Sequence, residues 1–479
     1  MSAAHRTRIA FAAHALALVA VTPPAQARDR SGQRVRRLLH KAERLPGRLG
    51  VLLLRPLTRR AMLRAHLDNV NKASNTLDHQ QSSKVDRHPL LARIKAELKG
   101  LAPGTLGRLK RNVASLEQRV GGQVQIPHEI TDGRARLLYR AERAAALAHY
   151  KRSPGDLNAY TINRAELKLA GVGPKGEDVH VSSRRIYQEE WKHGGSGKAK
   201  ARVLVLPGYQ ETGRSYYELA NSLNKIGCDV ALPDQQWAGY TKSPGGMPGQ
   251  IDSGFGVAAD AAALIAYNKA LADKAGQKLI VISSSMGAGR GATVAAMLMD
   301  QGKLDGAKLF TDPTINAQLP GKLRSTGFTS RQLNPFVWAT PTWQNKLTSL
   351  MGKIPVLREL AFHSIGMPRL NHTDAKSQAD IAATGLRVDA YVQPSAMANS
   401  QDVMAFMQAS ASKGYPKGKT HVLTLAGDTL AYSKATQKLF STLPNAEVSV
   451  ASGNDHSLQH NTAHINAVRD AVAAEIAGR

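Results

Sequence analysis

One heptapeptide constrains this chain more than any other stretch. Ser283-Ser284-Ser285-Met286-Gly287-Ala288-Gly289 follows the run Lys278 to Ile282 and precedes a helix-forming segment from Gly291 to Met299. A strand that turns into a helix this abruptly strains the backbone of the residue at its tip, and the residues two before and two after that tip must be small for strand and helix to approach. Of the three serines, Ser285 alone has small residues at both positions, Ser283 and Gly287, with a glycine two residues on. The pattern is that of a nucleophile elbow, with a serine where its first glycine usually stands. A Ser/Gly-rich connection or a phosphate-cradling turn has the same composition, so the rest of the chain has to decide.

The surrounding pattern is one of strands alternating with helices. Arg202 to Leu206 reads as a strand ending at Pro207-Gly208, Ser215 to Ile226 as a helix, Asp229 to Leu232 as a second strand, and Ala307 to Asp312 as the sixth-strand region. Such alternation predicts an α/β chain with a mostly parallel sheet covered by helices on both faces, and function then collects at the carboxyl ends of the strands. Two further ends carry chemistry. Thr420 to Leu425 leads into Ala426-Gly427-Asp428, and Glu447 to Val450 leads into Gly453-Asn454-Asp455-His456. A serine, then a carboxylate, then a histidine, each after a strand, suits Ser285 as nucleophile, His456 as general base and Asp428 as the group that orients it. The backbone N–H groups of Tyr209 and Met286 are placed to hold a developing oxyanion, although Pro207-Gly208 is also what a simple turn looks like. His460 and His464 are rival bases and Asp455 a rival acid. The histidines fall in the expected final helix, and Asp455 is directly adjacent to His456.

Upstream the composition changes. The net charge is +28, and residues 1–202 hold 39 Lys plus Arg against 16 Asp plus Glu, leaving only +5 for the other 277 residues. Arg6 and Arg8, the apolar run Ile9 to Val21, and Ala25-Gln26-Ala27 have the layout of a secretory signal over residues 1–27, which predicts export. A transit peptide or a basic amphipathic terminus would share these features and would place the protein in an organelle or the cytoplasm. Residues 28–175 read as a basic, mainly helical extension, with helices expected over Leu106 to Val120 and Ala135 to Tyr150. Its densest part, residues 28–70, interleaves arginines with leucines and would be drawn to an anionic membrane surface. Nucleic acid is disfavoured by the absence of zinc-finger spacing and by the low aromatic content. The single cysteine, Cys228, excludes an intrachain disulfide and a thiolate metal cluster. Alternation around Asp178 to Trp191 suggests a hairpin, and the catalytic domain is expected over residues 176–479.

The run from Val203 to Pro244 resembles the lysophospholipase and monoacylglycerol lipase branch of the α/β-hydrolases, related to the serine aminopeptidase-like hydrolases. It contains Pro207-Gly208-Tyr209-Gln210-Glu211-Thr212, Ser215-Tyr216-Tyr217-Glu218-Leu219-Ala220, Gly227-Cys228-Asp229-Val230, and Asp234 through Gly239 to Ser243. The Ser285-Met286-Gly287 elbow, Asp428-Thr429-Leu430 and Gly453 to His456 follow in the matching order. Pro207-Gly208 replaces the commoner His-Gly, and the segment from Asp234 is one residue longer than the usual Asp-x-Arg-Gly-x-Gly-x-Ser. The resemblance covers roughly Asp178 to Ala477 and implies an α/β-hydrolase fold with a helical cap insertion, about residues 316–415. In that cap Trp338, Trp343, Leu350, Met351, Leu357 and Phe362 are available for an acyl pocket or for the cap's own core. The implied activity is hydrolysis of a lipid-like ester through an acyl-enzyme, with neither metal nor organic cofactor. Two alternatives stand beside it: a peptidase or amidase using the same triad, and a non-catalytic interaction protein on a hydrolase scaffold whose basic region is the working part.

Overall fold

The computed structural model describes residues 105–337 and 403–478, less short gaps at 129, 131–132, 196, 210, 237–239, 242–250, 252, 429–430, 454–455 and 457–460, together with 367–368 and 391–392. The helices are α1 (Thr105–Arg119), α2 (Gly133–Tyr150), α3 (Tyr217–Asn224), α4 (Gly254–Ala275), α5 (Val294–Asp300), α6 (Pro313–Gln318), α7 (Met404–Ser412), α8 (Ser433–Phe440) and α9 (Thr462–Ile476). The strands are β1 (Leu157–Arg164), β2 (Leu167–Leu169), β3 (Val179–Val181), β4 (Arg184–Trp191), β5 (Ala201–Leu206), β6 (Cys228–Pro233), β7 (Lys278–Ser284), β8 (Thr329–Leu333), β9 (Met367–Pro368), β10 (Tyr391–Val392), β11 (Thr420–Leu425) and β12 (Ala446–Ala451). Eight of them form one sheet in the order β1-β4-β6-β5-β7-β8-β11-β12. From β6 to β12 neighbours are parallel, while β4 is antiparallel to both β6 and β1.

Period-two alternation sorts the central strands between two cores. Val203, Val205, Ile280 and Ile282 face one core with α1, α2, α3 and α9, whereas Leu204, Leu206, Leu279 and Val281 face the other with α4, α5 and α7. Because both faces are covered, the strands read as continuous apolar runs rather than alternating ones. This is the α/β-hydrolase arrangement. The order in which successive strands are added reverses at β5, with β6 laid on one side and β7 on the other, so the crevice at the carboxyl ends of β5 and β7 is a topological switch point, where ligands bind in such sheets. Helix α4 is fixed at both ends. Ser253 Oγ accepts from the Gly256 N–H at 2.9 Å, and Gly276 closes the helix at φ +67°.

Three expectations shift. The strand between β7 and β11 is Thr329–Leu333, not 307–312, where Phe310 makes only an isolated bridge to Arg164. Its polar residues hide it: Gln332 Oε1 accepts from Thr293 Oγ1 at 3.0 Å, and Arg331 pairs with Glu475 at 3.0 Å. The stretch given to a cap from about residue 316 therefore includes a sheet strand. No hairpin joins β3 to β4, because β3 pairs with β2 while β4 pairs with β1 and β6. The sheet also begins at Leu157, ahead of the boundary at 176, and α1 and α2 share a core with Trp191 and Tyr217. Arg143 of α2 ties the helix down: its Nε donates to Glu189 of β4 at 2.8 Å, and the same carboxylate accepts from the Tyr187 and Tyr217 hydroxyls, both at 2.6 Å. Residues 1–104, which include the signal-like segment and the basic stretch 28–70, lie outside the described residues, as do the six cap side chains named above. Among the described residues no helix is long and apolar enough to cross a membrane. Cys228 is buried, and burial pushes its thiol up to about 12.

Candidate active site

Ser285 stands at the carboxyl end of β7 with φ +50°, a conformation rare for a residue with a side chain. The strain is held by close packing on either side. A Cβ on Gly287 would lie 2.2 Å from the Pro207 carbonyl oxygen, and one on Gly289 would lie 2.5 Å from that of Phe336. The Phe336 N–H also donates to the Ser285 carbonyl at 2.8 Å. A short π-helical turn, Gly287–Thr293, leads from the elbow into α5. Such turns are frequent at functional sites.

The serine side chain meets the two groups chosen with it. Ser285 Oγ lies 2.7 Å from His456 Nε2, and His456 Nδ1 lies 2.6 Å from Asp428 Oδ2. Asp428 is fully buried, its other oxygen accepting the Ala431 N–H at 2.9 Å, whereas Ser285 is partly exposed. With Nδ1 donating to the carboxylate, Nε2 is left to accept the serine proton. Of the rivals, His464 sits in α9, while Asp455 and His460 fall outside the described residues.

Beside the serine runs the loop after β5. A Cβ on Gly208 would stand 3.1 Å from the Ser285 Cβ, which puts the segment holding Tyr209 against the elbow. Met286 is buried and packs with Ile251 and Val257, and Tyr209 packs against them. Sequence reasoning assigned no role to Glu211, which braces this loop. Its Oε2 accepts from the Gly208 N–H at 2.7 Å and from the Tyr216 hydroxyl at 2.5 Å. Burial and the Glu211 charge hold Tyr216 well above its ordinary value, so it stays a neutral donor. Gln235 also supports the loop, donating through Nε2 to the Pro207 carbonyl at 3.0 Å. Asn334 was likewise missed, and the Asn-Pro turn it opens was the available signal. Among the described residues no group of three or more His, Cys, Asp or Glu is arranged to hold a metal ion.

The family model described as "Serine aminopeptidase, S33" matches residues 197–463. Among solved structures the chain is similar to a soluble variant of monoglyceride lipase from Saccharomyces cerevisiae in complex with a substrate analog, at 18% identity over 61% of this chain and 91% of that one, TM-score 0.48. It is similar to a monoacylglycerol lipase of Paleococcus ferrophilus at 13% identity over 61% and 98%, TM-score 0.40. A carboxylesterase structure from the ammonia-oxidizing thaumarchaeon Nitrososphaera gargenis aligns at 14% identity over 62% and 96%, TM-score 0.37. No curated protein matches the chain significantly.

Proposed function

The chain belongs to the serine aminopeptidase, S33 family of hydrolases, and from that premise we propose that it is a serine hydrolase cleaving carboxylic esters of lipid-like substrates, lysophospholipids or monoacylglycerols. The observation that carries the reading is the unbroken relay from Asp428 through His456 to Ser285, at 2.6 and 2.7 Å, with the serine on a strained elbow. His456 Nε2 takes the Oγ proton as the serine oxygen attacks the ester carbonyl. Asp428 fixes the imidazole tautomer and stabilises the imidazolium. The N–H groups of Tyr209 and Met286 hold the oxyanion, a contribution of about 100 to 1,000-fold per donor in comparable sites. His456 then returns the proton to the leaving alkoxide, and a water deacylates the enzyme by the same steps in reverse.

The family's own description favours a second reading, amide or peptide hydrolysis, in which His456 protonates a leaving amine. Residues 28–70, with export directed by residues 1–27, would concentrate the enzyme at an anionic surface. Deleting residues 28–70 should then reduce binding to anionic liposomes.

The first test is turnover of short- and long-acyl nitrophenyl esters and of aminoacyl nitroanilides, alongside Ser285→Ala and His456→Ala and titration with a fluorophosphonate. Ester turnover and labelling that both vanish in Ser285→Ala support the reading. A folded wild type that neither labels nor turns over would leave the hydrolase scaffold without catalysis, and a preference for nitroanilides would favour the amidase.

A further inference from the structure

We infer that Asn334 is a positioning residue of this site: its carboxamide ties the main chain of His456 to the strand leading to Asp428, and so fixes the imidazole against Ser285. The inference rests on the serine-hydrolase reading above. Asn334 follows β8, is fully buried, and has φ +44°. Asn is among the side chains that enter that region most readily. Its Oδ1 accepts from the Leu425 N–H at 3.0 Å, at the end of β11 and three residues before Asp428. That donor fixes the orientation of the amide, so the group facing the His456 carbonyl at 3.3 Å is Nδ2, a donor meeting an acceptor.

The neighbouring backbone reaches the third member. Asn334 donates its own N–H to the Leu423 carbonyl at 2.7 Å, and two residues on Phe336 donates to the Ser285 carbonyl at 2.8 Å. One short turn thus touches the peptide segments of all three residues. Neither aspartate nor glycine does both jobs at this position. Aspartate would accept from Leu425 but set an oxygen against the His456 carbonyl, and glycine would take the backbone angle without strain but make neither bond.

The test uses the full chain with Asn334→Asp, Asn334→Gly and Gln332→Met. Gln332 is a control: it is buried on the same strand and bonded to Thr293 and Ser330 rather than to the triad. Both Asn334 variants should lose about tenfold or more in kcat with KM kept within about twofold, the signature of misplaced reacting groups rather than lost binding. Fluorophosphonate labelling should slow in parallel. In Asn334→Asp the acid limb of the kcat/KM profile should also move to higher pH, because a carboxylate beside His456 favours the imidazolium, whereas in Asn334→Gly it should stay in place. Gln332→Met should lower the thermal midpoint and leave kcat alone. Wild-type kcat in both Asn334 variants would overturn the inference, as would equal losses in Gln332→Met. A wild type without turnover removes the hydrolase reading, and the inference with it.

Discussion

The serine and its two partners are held in place by different means. Ser285 is fixed by backbone: a positive φ, and glycines at 287 and 289 packed so closely that a Cβ on either would meet a carbonyl oxygen. Asp428 and His456 are fixed by side-chain hydrogen bonds, the carboxylate to Ala431 N–H and the imidazole, and the His456 main chain to Asn334. Backbone constraint is steric and indifferent to pH, and it leaves a mark in the sequence because few residues satisfy it. Polar constraint is electrostatic, depends on protonation, and can be met by many loops. The two halves should therefore fail differently.

The largest effect is expected on the polar side. Asp428→Asn keeps the shape but offers an amide where the imidazole needs an acceptor, which favours the wrong tautomer and should lower kcat about 10⁴-fold at neutral pH with the fold intact. A loss under about tenfold would mean that another group orients His456. On the backbone side, Gly287→Ala keeps the side chains of Ser285, Asp428 and His456 yet puts a methyl 2.2 Å from the Pro207 oxygen. The loop or the elbow has to move by the order of an ångström, so kcat should fall roughly 100-fold and the thermal midpoint should drop as well. Wild-type kinetics in this variant would show that the elbow is not the rigid half.

The same division explains what could be read in advance. The strands β5, β7 and β11 were legible to within two residues because burial on both faces makes them apolar runs. The elbow was legible because steric demands restrict its residue types. The strand β8 was not, since Ser330, Arg331 and Gln332 are polar and owe their place in the sheet to partners as distant as Thr293 and Glu475. Arg143 and Glu189 likewise look like surface residues until they meet, which is why α2 read as part of a separate extension. Asp428 and His456 were picked out by chain order, and the fold brings both side chains into line with Ser285. Asn334 and Glu211 were not, because a single polar residue in a loop carries no pattern until the fold supplies its partners.

Asp234 sharpens the contrast between the halves with a pH signature. Its two oxygens accept the Gly213 N–H at 3.0 Å and the Tyr240 N–H at 2.7 Å, joining the loop after β6 to the one after β5. Burial raises it to about 7; Glu189 adds to the rise, while those N–H bonds and Arg143 oppose it. An acid that is raised on folding contributes its stability below its unfolded value, about 3.9, and loses it as pH climbs through the folded value. Wild-type stability should therefore fall between about pH 4 and 7 relative to Asp234→Asn, by a few kcal/mol at most. Parallel thermal midpoints across that window would show that Asp234 does not titrate there.

Smallest, and most specific to the backbone half, is Ser283. It is fully buried two residues before Ser285, and its hydroxyl finds no hydrogen-bond partner among the described residues. If the elbow demands only smallness there, the hydroxyl is a cost: a buried polar group left unpaired is worth about 1 kcal/mol or more in destabilisation. Ser283→Ala fits the same space and should raise stability by about that amount, with kcat and KM unchanged. Denaturant titration beside steady-state kinetics checks both halves of the statement. A variant that gains stability at full activity means that steric size alone governs the approach to Ser285. One that loses activity means that the Ser283 hydroxyl has a polar role, and that Ser285 is held by hydrogen bonds as Asp428 and His456 are.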